Sequence, residues 1–249
     1  MTSPPGDESN GFIRADVARD MTGGLAASAL SWWQEAGVDT LVAEEPRDWL
    51  KPKAAPPPAA APDAALTATE LPDTIDAFQA WWRTIALPFP TMGARLDPAG
   101  DPVSGLMVMT DMPAPGGGWF EGEADPLFDR QMTAIGRDRG NLYLASLSPL
   151  RAMQMRFDAA AAQFLAEIAR HHIGLVRPRA LLLFGDACAQ TLLGESVTRA
   201  RGRWHALETP SGPIRVLATI RPEQVARQPA TYRKIVWEDL QMLMKELAA

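Results

Sequence analysis

Four short runs, residues 106–109 (LMVM), 141–147 (NLYLASL), 180–184 (ALLLF) and 214–220 (IRVLATI), set the strongest limit on how this chain can fold. Each is wholly or largely apolar and stops at polar or turn-forming residues, the pattern of a buried strand. Between and after them the period changes to that of a helix, at residues 125–135, 158–172, 187–193 and 231–247. A further helical stretch, residues 73–85, carries the aromatic anchors Phe78, Trp81 and Trp82. Strands joined through helices pair in parallel by right-handed crossovers. The sequence therefore predicts an α/β fold, a three-layer α/β/α domain whose central, mainly parallel sheet has about four strands.

This domain is expected to occupy residues 68–249. A chain of 249 residues with 47% hydrophobic content can build one sizeable core. Residues 1–24 are polar and rich in Gly, Pro and acid, a composition expected to be disordered. Residues 25–50 carry an amphipathic helical segment with Trp32, Trp33, Leu41 and Trp49 as its apolar points. Residues 51–67 form a Pro/Ala-rich linker favouring extended structure. A Trp-rich helix tethered in this way is expected to dock on its own domain or on a protein partner.

No apolar run reaches the length of about eighteen residues needed to span a membrane. The first residues lack the basic-then-apolar pattern of a signal peptide. Cys188 is the single cysteine, so an internal disulfide is excluded, and with three histidines there is no recognisable zinc cluster. These features make the cytoplasm the expected compartment and a metal site unexpected. Cys188 follows the turn in FGDACAQ without a thiol-hydrolase signature, so it is expected to be a buried structural residue. The net charge of −6 hides an asymmetry: residues 151–249 carry 14 Lys and Arg against 9 Asp and Glu, whereas the first 150 carry 10 against 21. An acidic chain with a basic carboxy-terminal part can still hold a polyanion at a local patch.

In an open α/β sheet, ligands bind beyond the carboxyl ends of the strands. Three such ends are polar here: Thr110-Asp111, Ser146-Leu147-Ser148 and Arg221-Pro222-Glu223. The first opens into MPAPGGGWFEG, a Pro/Gly loop bearing Trp119 and Phe120, a layout suited to holding a flat ring beside an acid. A fourth end, Gly185-Asp186-Ala187, runs straight into a helix whose N-terminus can attract an anion. An acid, hydroxyls and an arginine converging on one rim would suit chemistry on a polar ligand. The segment 199–205, RARGRWH, joins three arginines to an aromatic residue, suiting either phosphate contact or a solvated start to a hairpin.

From about Leu71 onward the order of motifs resembles the uracil-DNA glycosylase superfamily, particularly its bacterial iron–sulfur branch. Thr110-Asp111-Met112-Pro113-Ala114 stands where that branch has G-E-A-P-G, keeping an acid and the proline and losing both glycines. Residues 119–129, WFEGEADPLFD, follow P-F-x-G-x-A-G-x-L-L-D. Residues 141–146, NLYLAS, look like the N-V-Y-I-T-N strand, and residues 180–194 resemble the strand-G-A-x-A-A-x-x-L-L-G element. TRARGRWH at 198–205 matches T-x-x-R-G-R-W-H, and residues 221–229, RPEQVARQP, stand in for H-P-x-x-x-x-R-N-P.

The resemblance implies a catalytic pair, Asp111 directing water and Arg221 standing in for the motif histidine. It implies a base pocket with Phe120 stacking and Ser146 in place of the uracil-reading Asn, and DNA contacts from Arg199, Arg201, Arg203 and Arg227. The partner it implies is DNA with a flipped-out base. The branch's early C-x-x-C is replaced near residues 85–89, and a single cysteine cannot hold a cluster that takes four, so no iron–sulfur cofactor is expected. Ser146 lacks the paired donor and acceptor of an amide, which weakens discrimination of uracil from cytosine. Two functions remain open at this point. One is a divergent glycosylase removing uracil or another deaminated base in base excision repair; the other is a non-catalytic module of the same fold that binds DNA or a protein.

Overall fold

The structure, a computed structural model, describes residues 71–248. The expectations for residues 1–24, 25–50 and 51–67 lie outside the described residues. Within them, six strands form one sheet in the order β2-β4-β3-β6-β8-β7. Its centre is the expected parallel set, β4 (Tyr143–Ser146), β3 (Leu106–Thr110), β6 (Ala180–Phe184) and β8 (Gly212–Thr219). Every residue of β3, β4 and β6 is buried, as expected where helices cover both faces of a parallel sheet.

The two edges are antiparallel; the first had no counterpart in the sequence reading, whereas the second begins at the hairpin start offered as one reading of residues 199–205. On one side β2 (Ala99–Gly100) pairs with β4; on the other β7 (Trp204–Thr209) forms a hairpin with β8. Pro210 and Ser211 make its turn, tied by the Thr209 hydroxyl donating to the Gly212 carbonyl at 2.6 Å. A separate ribbon pairs β1 (Thr91–Met92) with β5 (Arg151–Ala152).

Two of the helices begin where an N-cap side chain satisfies a first-turn N–H group. Thr74 accepts from Ala77 N to start α1 (Ile75–Trp82), and Asp158 accepts from Ala161 N at 2.8 Å to start α3 (Ala159–Val176). α3 runs four residues past the expected end because Arg177 takes the left-handed conformation that closes it. α2 (Ala124–Ala134), α4 (Asp186–Leu193) and the closing helix fall close to expectation. Two short helices are additional: α5 (Val197–Ala200) and α6 (Pro222–Arg227), the latter opened by a proline at its first turn. The closing helix α7 (Pro229–Ala248) starts two residues earlier than its periodicity indicated. None of the described helices is long and apolar enough to cross a membrane.

A polar chain fixes α1 and α3 beneath the sheet edge. Gln79 donates to the Tyr143 hydroxyl at 3.2 Å, and that hydroxyl lies 3.0 Å from His172 Nε2. His172 is buried and stacks on Phe78 at 4.2 Å between centroids. Burial, with a smaller contribution from His171, lowers its pKa from 6.5 to about 3, so the ring is neutral and can accept a hydrogen bond from the Tyr143 hydroxyl. Burial pushes the Tyr143 phenol up to about 12, which keeps it a donor.

The unfolded chain protonates His172 near its ordinary pKa, whereas the folded chain refuses the proton. Stability present above pH 6.5 is therefore lost as pH falls toward 3, at up to about 1.4 kcal/mol per pH unit. Thermal unfolding of the wild type and of His172→Gln between about pH 7 and 4 tests this. The wild-type unfolding temperature falls more steeply with acid than that of the variant; parallel curves would refute the assignment.

Candidate functional site

At the carboxyl edge of the sheet, Ser146, Thr110, Phe184 and Thr219 are aligned in register across the four parallel strands. Asp111 follows this row directly. Its backbone continues the pairing: the Thr110 carbonyl accepts from Leu147 N at 2.8 Å, and the Asp111 carbonyl from Ser148 N at 3.3 Å. The Asp111 side chain crosses to the neighbouring strand end, where Oδ1 accepts the Cys188 N–H at 2.7 Å. That N–H belongs to the first turn of α4, whose unpaired donors and dipole favour a carboxylate.

Gly185 makes this crossing possible. Its φ is +107°, and a Cβ built there would collide with Asp111 Oδ2 and lie 2.7 Å from Arg221 Cδ. Only a residue without a side chain lets the carboxylate and the guanidinium close over this turn.

Arg221 caps α6 and reaches the same point. One guanidinium nitrogen donates to Asp111 Oδ2 at 3.4 Å; Nε and the other terminal nitrogen donate to Glu223 at 3.3 and 3.0 Å. Asp111 is 5% exposed. Burial pushes its carboxyl above the ordinary carboxylate range, against the pull of Arg221 and the N–H groups of Cys188 and Ala187. Burial also works against the charge of Arg221, but Asp111 and Glu223 outweigh it and hold the guanidinium protonated. Burial, reinforced by Asp111, pushes the Cys188 thiol well up, so Cys188 serves through its backbone and not as a nucleophile.

Asp111, Arg221 and Glu223 face a cleft of about 660 Å³ that is also lined by Arg151, Arg156 and Arg227 and by Glu121, Asp158 and Asp186. The structure thus brings together the acid and the arginine singled out in the sequence, and adds Arg227 to the same cleft. Phe120 and Ser146 are placed differently. Phe120 is buried against Phe128 and Phe184, with centroids 4.8 and 6.1 Å away, and does not line the cleft. Ser146 is 2% exposed, and its hydroxyl, like that of Thr110, has no hydrogen-bond partner. Because Ser146, Thr110 and Phe184 are in register, their side chains share the sheet face on which Phe120 packs.

The four arginines divide into two kinds. Arg201 is engaged internally, donating to both oxygens of the buried Asp239 at 3.0 and 3.2 Å and to the Ile235 carbonyl at 3.1 Å. The phosphate contact suggested by the motif would compete with this pair, so Arg201 is a tie between the start of β7 and α7. Arg203 is exposed and bonds Glu195 at 2.7 Å. Arg199 and Arg227 are exposed and form no ion pair among the described residues.

Sequence reasoning overlooked Glu223 as the holder of Arg221, although it stood in the same strand-end motif. It also overlooked Arg151, whose guanidinium bonds the Pro113 carbonyl at 2.8 Å and fastens the loop after Asp111. The residue set does not fit an iron–sulfur cluster. Such a cluster takes four thiolates, and the one thiol of this chain is buried, its Sγ 3.9 Å from the Met109 carbonyl. Among the described residues no group of His, Cys, Asp and Glu side chains is arranged to hold a metal ion.

Comparison with curated proteins finds no significant match. The family model of the Uracil DNA glycosylase superfamily matches residues 99–241, from the edge strand β2 through the Asp111–Arg221 cleft into α7. That span is more than half of the chain and contains the whole six-stranded sheet, so the chain belongs to the uracil DNA glycosylase superfamily.

Proposed function

We propose that the chain is a DNA glycosylase that hydrolyses the N-glycosidic bond of uracil or another deaminated base in DNA, acting in base excision repair. The observation that carries this reading is the ion pair of Asp111 and Arg221, buried at the strand ends yet open to a cleft large enough for a nucleotide. An enzyme of this kind takes its target base out of the stack before reacting with it. As the C1′–N bond breaks, its electron pair leaves with the base and positive charge develops on the sugar. Ionised Asp111 stabilises that charge and aligns a water, whose oxygen bonds to C1′ and whose proton passes to the carboxylate. Arg221 donates a hydrogen bond to the departing base, which completes its valence with a solvent proton. Glu223 holds two sides of the guanidinium and so directs its remaining N–H groups.

The exposed Arg199, Arg203 and Arg227 are assigned to the phosphates on either side of the extruded nucleotide. Phe120 and Ser146 are assigned to the base, as the family's motifs imply; their closed position requires the loop after Asp111 to yield when a base enters. Neither step draws on an iron–sulfur cluster, so purified active protein is expected to contain neither iron nor acid-labile sulfide. The burial of Phe120 and Ser146 also supports a second reading, a non-catalytic module that binds DNA or a protein through the same fold.

Base release from uracil-containing DNA separates the two readings. Asp111→Asn is expected to abolish release while leaving DNA affinity within about twofold, because the change removes an ionised group needed only in the transition state. Retained DNA binding with no release of any deaminated base by the wild type would establish the module instead.

The acid limb of the release rate is expected above the ordinary carboxylate range, since activity needs Asp111 ionised and burial raises its pKa. Arg221→Gln removes the cation that opposes this shift, so its acid limb moves to still higher pH and its plateau falls by about 100-fold. An unmoved limb would show that Asp111 is not the titrating group.

DNA binding as a function of salt checks the arginines. Arg199→Ala and Arg227→Ala each lower the salt slope by about one. Arg201→Ala leaves the slope unchanged but destabilises the fold by about 3 kcal/mol, because it strands the buried carboxylate of Asp239.

A further inference from the structure

Asp239 is a fully buried carboxylate on α7, and donors hold both of its oxygens. Arg201 donates to each oxygen, and the Thr219 hydroxyl donates to Oδ2 at 2.7 Å. Burying a carboxylate is costly unless such donors surround it, and this one sits against the tip of a strand that serves the cleft. Burial pushes the Asp239 carboxyl up, and the bonds from Thr219 and Arg201 oppose that shift. Thr219 is the last residue of β8 and is itself fully buried; Arg221 follows two residues later.

Thr219 also reaches the other half of the site. Its carbonyl accepts the Gly185 N–H at 3.2 Å, at the turn over which Asp111 and Arg221 close. The link from Thr219 to the guanidinium is stiff. Ile220 is buried, and Arg221 is the extended N-cap of α6, a conformation that the buried Pro222 after it enforces.

On the far side of Asp239 the contacts run back to the cleft. Arg201 ends α5, and the first N–H of that helix, from Val197, is held by Asp186 at 2.9 Å. Asp186 lines the cleft and opens α4, the helix whose Cys188 N–H holds Asp111. The contacts from Asp186 through Val197, Arg201, Asp239 and Thr219 to Gly185 thus form a ring around the ends of β6 and β8. That ring gives Arg201 a use apart from any phosphate, as the support of the acid that holds Thr219.

We propose that Asp239 and Thr219 are positioning residues, which hold the end of β8 so that Arg221 stays against Asp111. The consequence for catalysis rests on the glycosylase reading; the placement itself does not. Arg221 meets Asp111 through one bond of 3.4 Å, so a small shift of the β8 tip takes the guanidinium out of hydrogen-bond reach.

The test compares the full wild-type chain with Thr219→Val and Thr219→Cys, which lack the hydroxyl at similar size, and with Thr219→Ser, which keeps it. The titration of Asp111 is followed by carboxyl-carbon NMR, and uracil release from DNA by its kcat and KM. Thr219→Val and Thr219→Cys are expected to titrate Asp111 at higher pH than wild type, because the opposing cation is held less closely. Their kcat falls by about tenfold with KM within about twofold, since misplacement is felt in the transition state. Thr219→Ser restores both readings. Variants that are less stable yet titrate Asp111 and turn over as wild type does would reduce the ring to a support of the fold and end the proposal. A Thr219→Ser as impaired as Thr219→Val takes the effect away from the hydroxyl and ends it too. A wild type that releases no base overturns the glycosylase reading alone, and the Asp111 titration then decides the placement by the same comparison.

Discussion

The hydrogen bond from Cys188 N to the Asp111 carboxylate is the contact on which the site depends. Asp111 leaves the end of β3 and the receiving N–H opens α4 after β6, so the bond joins the ends of two adjacent parallel strands. Gly185 is what makes room for it, since any side chain there would occupy the space of the carboxylate and of Arg221. A buried carboxylate without such donors would take a proton instead of remaining charged. The backbone of α4 and the guanidinium of Arg221 are thus conditions for any role that Asp111 plays as an anion.

The same economy applies to Arg221. It serves two carboxylates, and Glu223 takes the better-aligned share through two nitrogens while Asp111 receives one at the longer distance of 3.4 Å. Three charged groups with one cation leave a net negative charge at the floor of the cleft. Such a floor favours a ligand whose own charge becomes positive during reaction, and disfavours a phosphate lying directly upon it. A sugar that becomes cationic, as in the proposed reaction, meets that requirement.

The parallel centre of the fold was legible because strands buried on both faces leave unbroken apolar runs, and β3, β4 and β6 are of that kind. The edge strands left no such trace: β2 is two exposed residues, and β7 alternates with only Leu207 fully buried. The acid and arginine of the site were legible because strand-end position alone brings them together. The fate of Arg201 was not, since its partner Asp239 lies 38 residues further on and the motif around it is unchanged by that pairing. Phe120 shows the same limit. A motif fixes where the residue falls in the chain, while its burial is decided by Phe128 and Phe184 from two other elements.

The charges of the cleft then sort by what each acid already holds. Asp158 caps α3, Asp186 accepts from Val197 N and Gln190, and Asp111 and Glu223 bind Arg221. Each of these negative charges is offset by donors of the protein itself. Arg156 and Arg227, which also line the cleft, have no such partner among the described residues. Among the described residues, the charged side chains lining the cleft that have no partner are thus Arg156 and Arg227 against Glu121. On the glycosylase reading proposed above, phosphates are held at these two arginines and the nucleoside turns inward to Asp111.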